Sequence, residues 1–346
     1  MLDIFNQDAF TVLRLADAMR EIKYVPSYIS SLGLFQTTSV DTLDIAIETD
    51  KDQIISIVPA SPRGGTGDTT GRGRRVLRKL TIPHFERKDA IYADEVVGVR
   101  RFGDEVATEM LQTKIADRAA EHSQSFALTE EYHRLGVVTQ GKLLDADGKV
   151  IFNYYDEFGE DTADEVNWDL SAANPAPGAL RRKSTALTRA MGTALGGLPF
   201  TGVLALCGDN FFDDLTAHPE VIDSYKSTDL AYALRSALIP TNNSSVQSGV
   251  WGEINLFNIK WVNYRGNAAV NVPSDKVKFI PLGVPGLFRT VYGPADYMDT
   301  VGRPGQRLYA HQMEMRNKKG VELEFQMNAI HYCTRPRVLM SGKRKA

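Results

Sequence analysis

The feature that most constrains the fold is a long stretch without helix breakers. From Asp104 to Arg134 the chain carries neither Pro nor Gly. Acidic residues at its start and a basic residue at its end suit the dipole of a helix. The stretch therefore predicts a single helix of about 46 Å, at about 1.5 Å per residue. The helix needs an extended surface to lie across, because its apolar positions form only a narrow stripe: Val106, Met110, Ile115, Ala119 and Phe126.

A second long element precedes this helix. From Val40 onward apolar and polar residues alternate, as is typical of a strand, and strand character resumes over residues 76–83. Between these limbs, residues 59–75 are rich in Gly and Arg and predict a flexible tip without a core of its own. Residues 40–88 thus predict one long two-stranded hairpin projecting from the body. Because a lone hairpin is only marginally stable in water, we expect it to lie on another copy of the chain.

The remaining segments mix helices with strands. The first 35 residues predict a short terminal helix on an arm, and residues 136–154 predict a hairpin that turns at Asp147-Gly148. Long strands return over residues 306–340, with a turn at 317–320. This order of segments predicts an α+β fold. The unit that begins near Ser171 predicts helices at 179–195 and 210–224, a buried strand at 202–208, and strands at 255–264 and 276–282.

Composition and charge exclude several classes of protein. Of the 346 residues, 43% are hydrophobic and 24% are charged, as in ordinary globular chains rather than disordered ones. A net charge of −3 excludes a chain that binds nucleic acid through its overall charge. The cysteines, Cys207 and Cys333, form no metal or redox motif, which favours a reducing compartment. We find no secretory signal and no apolar segment long enough to span a membrane, so we expect a soluble protein.

Sequence motifs give no indication of catalysis or of a cofactor. The Gly/Arg tip lacks the spacing of a phosphate-binding loop, the six histidines form no zinc motif, and no nucleophile signature is present. His331 and Cys333 lie on one face of a predicted strand, where packing is a better interpretation than metal binding. We therefore expect the chain to be neither an enzyme nor a holder of a cofactor or metal.

Two charged segments keep other functions open. Residues 63–79 carry six basic side chains against one acid, so the tip could contact nucleic acid as well as an acidic protein surface. The acidic run over residues 156–169 could supply carboxylates to a hydrolase, although a solvated loop explains it better. The first alternative requires salt-dependent DNA affinity of a monomer. The second requires a concave site and loss of turnover when the carboxylates are replaced.

The element order, together with several short segments, resembles a known family. The segments are Ser56–Gly64 (SIVPASPRG), Leu80–Phe85 (LTIPHF), Asp89–Val96 (DAIYADEV) and Val99–Gly103 (VRRFG). They are similar to the major capsid protein E family of lambda-like tailed bacteriophages, and the order of elements looks like the Hong Kong 97 capsid fold. The motif-level similarity is concentrated in residues 12–103, and only element order supports it over residues 171–305.

The resemblance implies a division of the chain into four parts. These are an N-terminal arm (1–39), an extended loop (40–98), a peripheral domain with the spine helix (99–170 and 306–346) and an axial domain (171–305). Such a chain would assemble into hexamers and pentamers of an icosahedral or prolate shell enclosing double-stranded DNA. The candidate partners are further copies, a scaffold protein, a portal protein and a decoration protein. The place would be the virion, with assembly in the bacterial cytoplasm and no membrane contact.

Four arginines of the tip are the candidate site residues on this interpretation. Arg63, Arg72, Arg74 and Arg75 could each form bidentate contacts to carboxylates of adjacent subunits. A solvated tip without such contacts is the competing interpretation. The main alternative for the whole chain is an encapsulin-like compartment shell, which shares the fold but holds cargo enzymes instead of DNA.

Overall fold

The structure, a computed structural model, describes residues 28–50, 75–97, 104–172, 175–226, 250–265 and 271–345. The predicted terminal helix of the arm lies outside these residues, and so does the Gly/Arg tip of the hairpin except for Arg75. Within them, one long helix and two sheets account for most of the regular structure. The helices are α1 (Tyr28–Ser31), α2 (Ala93–Val97), α3 (Asp104–Gln140), α4 (Tyr154–Phe158), α5 (Ala179–Ala194), α6 (Asp209–Ala217) and α7 (Pro219–Lys226), with short 3₁₀ turns at Met298–Thr300 and Pro336–Val338.

The strands form two larger sheets and two separate hairpins. Among the described residues, strands β2 and β3 pair only with each other, as do β5 and β6. The strands are β1 (Phe35–Ser39), β2 (Asp44–Asp50), β3 (Arg75–Thr81), β4 (His84–Tyr92), β5 (Lys142–Leu144), β6 (Val150–Asn153), β7 (Val166–Asn167), β8 (Gly202–Cys207), β9 (Val250–Leu256), β10 (Ile259–Tyr264), β11 (Lys276–Leu282), β12 (Phe288–Tyr292), β13 (Tyr309–Glu314), β14 (Gly320–Cys333) and β15 (Met340–Lys343).

The five-stranded sheet is built around β14. This strand pairs antiparallel with β4, β12 and β13, and β1 is added parallel to β12. From Val321 to Cys333 nearly every residue of β14 is buried, because the strand is covered on both faces. One cover is the helix α3, whose Ile115, Ala119 and Phe126 share a hydrophobic cluster with the sheet.

The six-stranded sheet runs in the order β7-β15-β11-β8-β10-β9. Its centre, β8, is buried on both faces, which explains its uninterrupted apolar sequence. Val203 and Ala205 face a cluster that contains Trp168 and Trp261. Leu204 and Leu206 face a second cluster, which also contains Ile330 of the five-stranded sheet and Val138 of α3. The two sheets are therefore joined through a shared hydrophobic core.

The long helix is confirmed, but it ends six residues later than the sequence predicts. It continues through Gly136 to Gln140, because Val137 and Val138 are almost fully buried and their packing outweighs the cost of a helical glycine. Gly141 then ends it with φ +64, a left-handed conformation in which an added Cβ would lie 2.5 Å from the Tyr155 ring. The following hairpin, predicted from residue 136, consequently begins at Lys142.

Three further local predictions need correction. The helix predicted over 210–224 is divided at His218, whose extended backbone (ψ 134) is the conformation that the following Pro219 favours. The strand predicted over 255–264 is a hairpin, turned by Phe257 and Asn258 with φ of 53 and 64. The projecting hairpin does not extend to residue 88, because β4 pairs with β14 instead.

The predicted domain boundaries remain a prediction, and the strand pairings cross them. Strand β12 falls within the predicted axial residues but pairs with β14. Strands β7 and β15 fall within the predicted peripheral residues but join the six-stranded sheet, where β15 lies between β7 and β11. The end of the chain is thus part of the sheet that contains β8.

Candidate intersubunit surface

The hairpin predicted to contact another copy has a well-paired stem. Strand β2 pairs antiparallel with β3, from Asp44 opposite Thr81 to Asp50 opposite Arg75. The pairing is extended by one bond at the base, where Ile82 N donates to Leu43 O at 2.9 Å. Pro83 follows and cannot donate a further bond, so the ladder ends there.

The stem has one buried and one exposed face. Ile45 and Leu80 lie directly opposite each other and are 7% and 2% exposed. On the other face Leu77 is 71% exposed, and the Lys79 side chain is also 71% exposed. The stem is therefore packed on the body along one face and leaves an apolar side chain and a cation on the other.

Polar side chains fix the base of the stem. Lys79 Nζ lies 2.7 Å from Asp44 Oδ2, and Thr81 Oγ1 donates to Asp44 Oδ1 at 2.7 Å. The hydrogen bond from Lys79 and then that from Thr81 hold the pKa of the Asp44 carboxyl below its usual value. Farther along, the Arg78 guanidinium lies 5.5 Å from the centre of the Phe158 ring, which ties the inner face to α4.

The four candidate arginines are almost entirely outside the described residues. Arg63, Arg72 and Arg74 belong to the undescribed range 51–74. Arg75 is the first residue of β3, opposite Asp50 in the register, and only its backbone is described. Their contacts to carboxylates of adjacent subunits therefore stay a prediction.

A buried acid fixes the chain where the arm joins the body. Glu131 of α3 is 1% exposed, and its carboxylate accepts bonds from Ile29 N at 2.8 Å and Ser30 N at 3.1 Å. The Ser30 hydroxyl donates to the same carboxylate at 3.0 Å. Arg134 Nη1 in turn donates to Ser30 Oγ at 2.7 Å. The short helix α1 is thus held on the long helix by charge-assisted hydrogen bonds.

The carboxylate of the neighbouring Glu130 also accepts several hydrogen bonds. It is 1% exposed and accepts bonds from Arg134 Nη2 at 2.6 Å, Arg307 Nε at 2.8 Å and the Tyr292 hydroxyl at 2.5 Å. Burial by itself raises the pKa of this carboxyl, but the guanidinium groups of Arg134 and Arg307 outweigh it and lower the pKa to about 2. Glu130 therefore joins α3, β12 and the segment before β13 through one buried charge.

Two buried histidines lie beside these acids. His133 and His331 are fully buried, with ring centres 6.0 Å apart. Burial lowers the pKa of His133 to about 4, against the raising effect of Asp145 and Glu130, and it also lowers the pKa of His331. His331 Nδ1 lies 2.9 Å from Thr290 Oγ1, and Cys333 is a buried free thiol in the core. Both His331 and Cys333 pack inside, as the interpretation of them as strand packing predicts.

The acidic run over 156–169 is distributed over several elements. Asp156 Oδ2 accepts a bond from Asn153 Nδ2 at 2.5 Å, and Glu160 Oε2 accepts one from Arg337 N at 3.1 Å. Glu165 Oε2 lies 2.6 Å from Lys276 Nζ. These carboxylates stabilise local structure. Among the described residues no group of three His, Cys, Asp or Glu is arranged to hold a metal ion.

Sequence reasoning missed the two buried glutamates. A signal was present, since Glu130 and Arg134 continue the four-residue spacing that starts at Phe126 on the apolar stripe of α3. Charged residues at core-facing positions indicate buried, paired charges rather than a solvated face. Their partners, Arg307 and Ser30, lie more than 100 residues away and have no such signal.

Comparisons with known proteins identify the family. The family model described as phage major capsid protein E matches residues 11–344. The chain is 24% identical to the major capsid protein of Pseudomonas phage KPP10, with 97% of each chain covered. It is 27% identical to the major capsid protein of Salmonella phage Felix O1, with 96% of each covered. The chain belongs to the phage major capsid protein E family.

Comparison of the fold with solved structures agrees with this assignment. A solved protein described as a putative capsid protein of a prophage of E. coli CFT073 superposes with a TM-score of 0.59 at 11% identity, covering 96% of this chain and 98% of that one. The predicted α+β capsid fold is thereby confirmed. The family assignment also confirms the phage major capsid prediction over the encapsulin alternative.

Membership places the chain in the virion as a structural subunit. Its family consists of structural capsid proteins. None of the helices in the described residues combines the length and the apolar composition that spanning a bilayer requires. The nucleic-acid alternative rests on residues 63–79, of which only residues 75–79 are described.

Proposed function

We propose that copies of this chain form hexamers and pentamers that close into an icosahedral or prolate shell around double-stranded DNA. Assembly takes place in the cytoplasm of the host bacterium. A heterologous contact repeated around an axis closes a ring, and rings of five and six can cover a closed surface. The work of the subunit is then geometric rather than catalytic.

The observation that most supports the proposed shell function is the exposed outer face of the hairpin stem. Its inner face is packed on the body through Ile45 and Leu80, whereas Leu77 and Lys79 on the outer face are both 71% exposed. A two-stranded ribbon is only marginally stable by itself, so an outer face that carries an exposed leucine is best stabilised where a partner covers it. In a shell of identical subunits, that partner is the adjacent copy.

The tip and the domain boundaries complete the proposal. Arg63, Arg72, Arg74 and Arg75 extend the contact of the stem by binding carboxylates of the adjacent subunit. The stem with its tip belongs to the proposed extended loop, residues 40–98, whose later part, β4, pairs with β14 of the body. The arm covers 1–39, the peripheral domain covers 99–170 and 306–346, and the axial domain covers 171–305.

The proposed partners besides further copies are a scaffold protein, a portal protein and a decoration protein. The DNA is enclosed without sequence-specific contacts, in keeping with a net charge of −3. No cofactor is needed for this role.

Assembly of the purified chain tests the proposal. We expect closed shells, or rings of five and six, by electron microscopy and light scattering when the chain is expressed alone or with its neighbouring genes. Leu77→Asp should reduce the yield of shells, because it places a charge in the proposed interface. The matched control Leu77→Met keeps an apolar side chain of similar volume and should assemble normally.

Two outcomes contradict the proposal. A strictly monomeric chain in every condition, including co-expression with the neighbouring genes, removes the shell function. Normal assembly of Leu77→Asp removes the stem from the interface.

For the tip, replacing Arg72, Arg74 and Arg75 together by Ala should weaken assembly without changing the unfolding midpoint of the monomer.

A further inference from the structure

The segment between β12 and β13 presents an apolar projection that the hairpin stem does not explain. Met298 is 89% exposed and Val301 is 73% exposed, the two highest values among large hydrophobic side chains of the described residues. Met298 begins a 3₁₀ turn that Val301 follows, and in such a turn side chains three residues apart lie one above the other. We call residues 298–303 the knob.

The knob is held rigidly by the residues beneath it. Thr300 is buried, and its hydroxyl lies 2.9 Å from Ala295 O and 2.8 Å from Tyr297 O. The Tyr297 hydroxyl donates to Glu324 Oε1 at 3.0 Å, and its ring stacks on His311 with centres 5.0 Å apart. The two apolar side chains are therefore exposed on a fixed support.

The knob is also continuous with the base of the hairpin stem. Gly305 N donates to Val40 O at 2.9 Å, a few residues before β2 begins. A Cβ at Gly305 would lie 2.3 Å from Tyr292 O, so this close approach requires glycine. The knob and the stem are consequently parts of one connected surface.

The charges around the knob are self-complementary. Asp299 and Arg303 are both exposed on either side of Val301. Their side chains form no hydrogen bond or ion pair within the part of the chain that the structure describes. An apolar centre bordered by one free acid and one free base is complementary to a second copy of itself, since rotation brings the acid of one copy to the base of another.

We propose that the knob is a contact between copies of this chain, in which Met298 and Val301 pack on the same residues of a second subunit and Asp299 pairs with its Arg303. The inference rests on the proposed shell function, which supplies many copies arranged around rotation axes. A scaffold or decoration protein needs no such symmetry in the charges, so the self-complementary pair favours a second copy.

A charge-exchange experiment on the full chain tests this contact. Asp299→Arg or Arg303→Asp alone places two charges of the same sign opposite each other, and juxtaposed like charges oppose association. We expect either variant to lower the yield of shells about tenfold or more, as a weakening of each contact by about 1.4 kcal/mol suffices for this factor. The double variant Asp299→Arg with Arg303→Asp restores opposite charges only if the partner carries the same two residues. It should assemble with nearly the wild-type yield.

Controls separate the possible causes of failure. Asp161→Arg makes the same charge change at another exposed acid and should assemble normally. Unfolding midpoints of all variants should match the wild type, because substitutions at exposed positions change stability little. Met298→Ser with Val301→Ser should reduce assembly without affecting the fold.

The results distinguish this inference from the proposed function. If the wild-type chain forms no shells or rings, the proposed function fails. If it assembles and both single variants assemble equally well, the knob is not an interface and the inference is overturned. If the double variant is as defective as the single ones, the partner is a different surface or protein, which also overturns it.

Discussion

The C-terminal part of the long helix and the hairpin stem differ in how far their side chains are buried and paired within one chain. Around residues 130–134, the buried acids Glu130 and Glu131 are each matched by several donors of the same chain. On the outer face of the stem, Leu77 is 71% exposed. The side chains of the first region find their partners when the chain folds. Under the proposed function, the outer face of the stem is covered only when copies assemble.

This difference indicates where changes should affect folding and where they should affect assembly. A buried charge that loses its partner destabilises the folded chain, since the remaining charge is still removed from water. An exposed apolar side chain contributes little to the fold, because it is nearly as exposed after folding as before. Stability of the single chain is therefore the quantity that separates the two regions.

The largest effect is expected for Glu130→Ala. The substitution leaves Arg134, whose side chain is 12% exposed, and the Tyr292 hydroxyl without their shared acceptor. We expect a loss of about 3–5 kcal/mol in the free energy of unfolding, measured with urea. Glu322→Ala, at an exposed position of β14, should change stability little. Equal losses of unfolding free energy for the two substitutions would contradict a stabilising role of the buried ion pair between Glu130 and Arg134.

The buried histidines predict a pH dependence of folding in the same region. His133 has a pKa of about 4 in the folded chain against 6.5 as the ordinary value, so the unfolded state binds more protons between these values. The free energy of unfolding is therefore highest above pH 6.5, falls progressively between about pH 6.5 and pH 4 by up to about 3 kcal/mol, and levels off below that. His331 acts in the same direction. His133→Phe should flatten the unfolding midpoint over this window, and a profile parallel to wild type would contradict the argument.

Glu131→Gln is expected to have a smaller effect. An amide oxygen can replace one acceptor, but the charge that strengthens the bonds to Ile29 N and Ser30 N is lost. Hydrogen bonds to charged groups contribute about 1.5–3 kcal/mol. Amide hydrogen exchange at these two residues should accelerate, while exchange in β14 stays unchanged. The exposed Glu121→Gln is the matched control, and equal acceleration in that variant would contradict a specific role for Glu131.

Much of the fold follows from local pattern, and the exceptions have physical causes. The alternation around Ile45 predicts β2, and the continuous apolar run at 202–207 predicts the buried strand β8. The helix end was predicted too early because of Gly136. The packing of Val137 and Val138 outweighs the low helix propensity of glycine at this position. Strand β15 carries no local signal, since its sequence Met340–Lys343 contains Gly342 and its place is set by pairing with β11.

The candidate surface could be predicted only in outline. The alternation predicts a projecting hairpin, but it does not show which face is buried against the body. That depends on Phe158 and other residues distant in sequence. The knob was missed altogether, because the exposure of Met298 and Val301 depends on the buried Thr300 and the contact of Gly305 with Val40.

The smallest effect on stability is expected for Leu77→Ala, and Leu80→Ala on the opposite face of β3 provides the sharpest comparison. Leu80 is 2% exposed and Leu77 is 71% exposed, on opposite faces of the same strand. Leu80→Ala should cost about 2–5 kcal/mol, whereas Leu77→Ala should change the free energy of unfolding by about 0.5 kcal/mol or less. Urea unfolding of the monomer measures both. A large loss for Leu77→Ala would mean that the outer face is already covered within one chain, and the stem would then have no free surface to offer an adjacent copy.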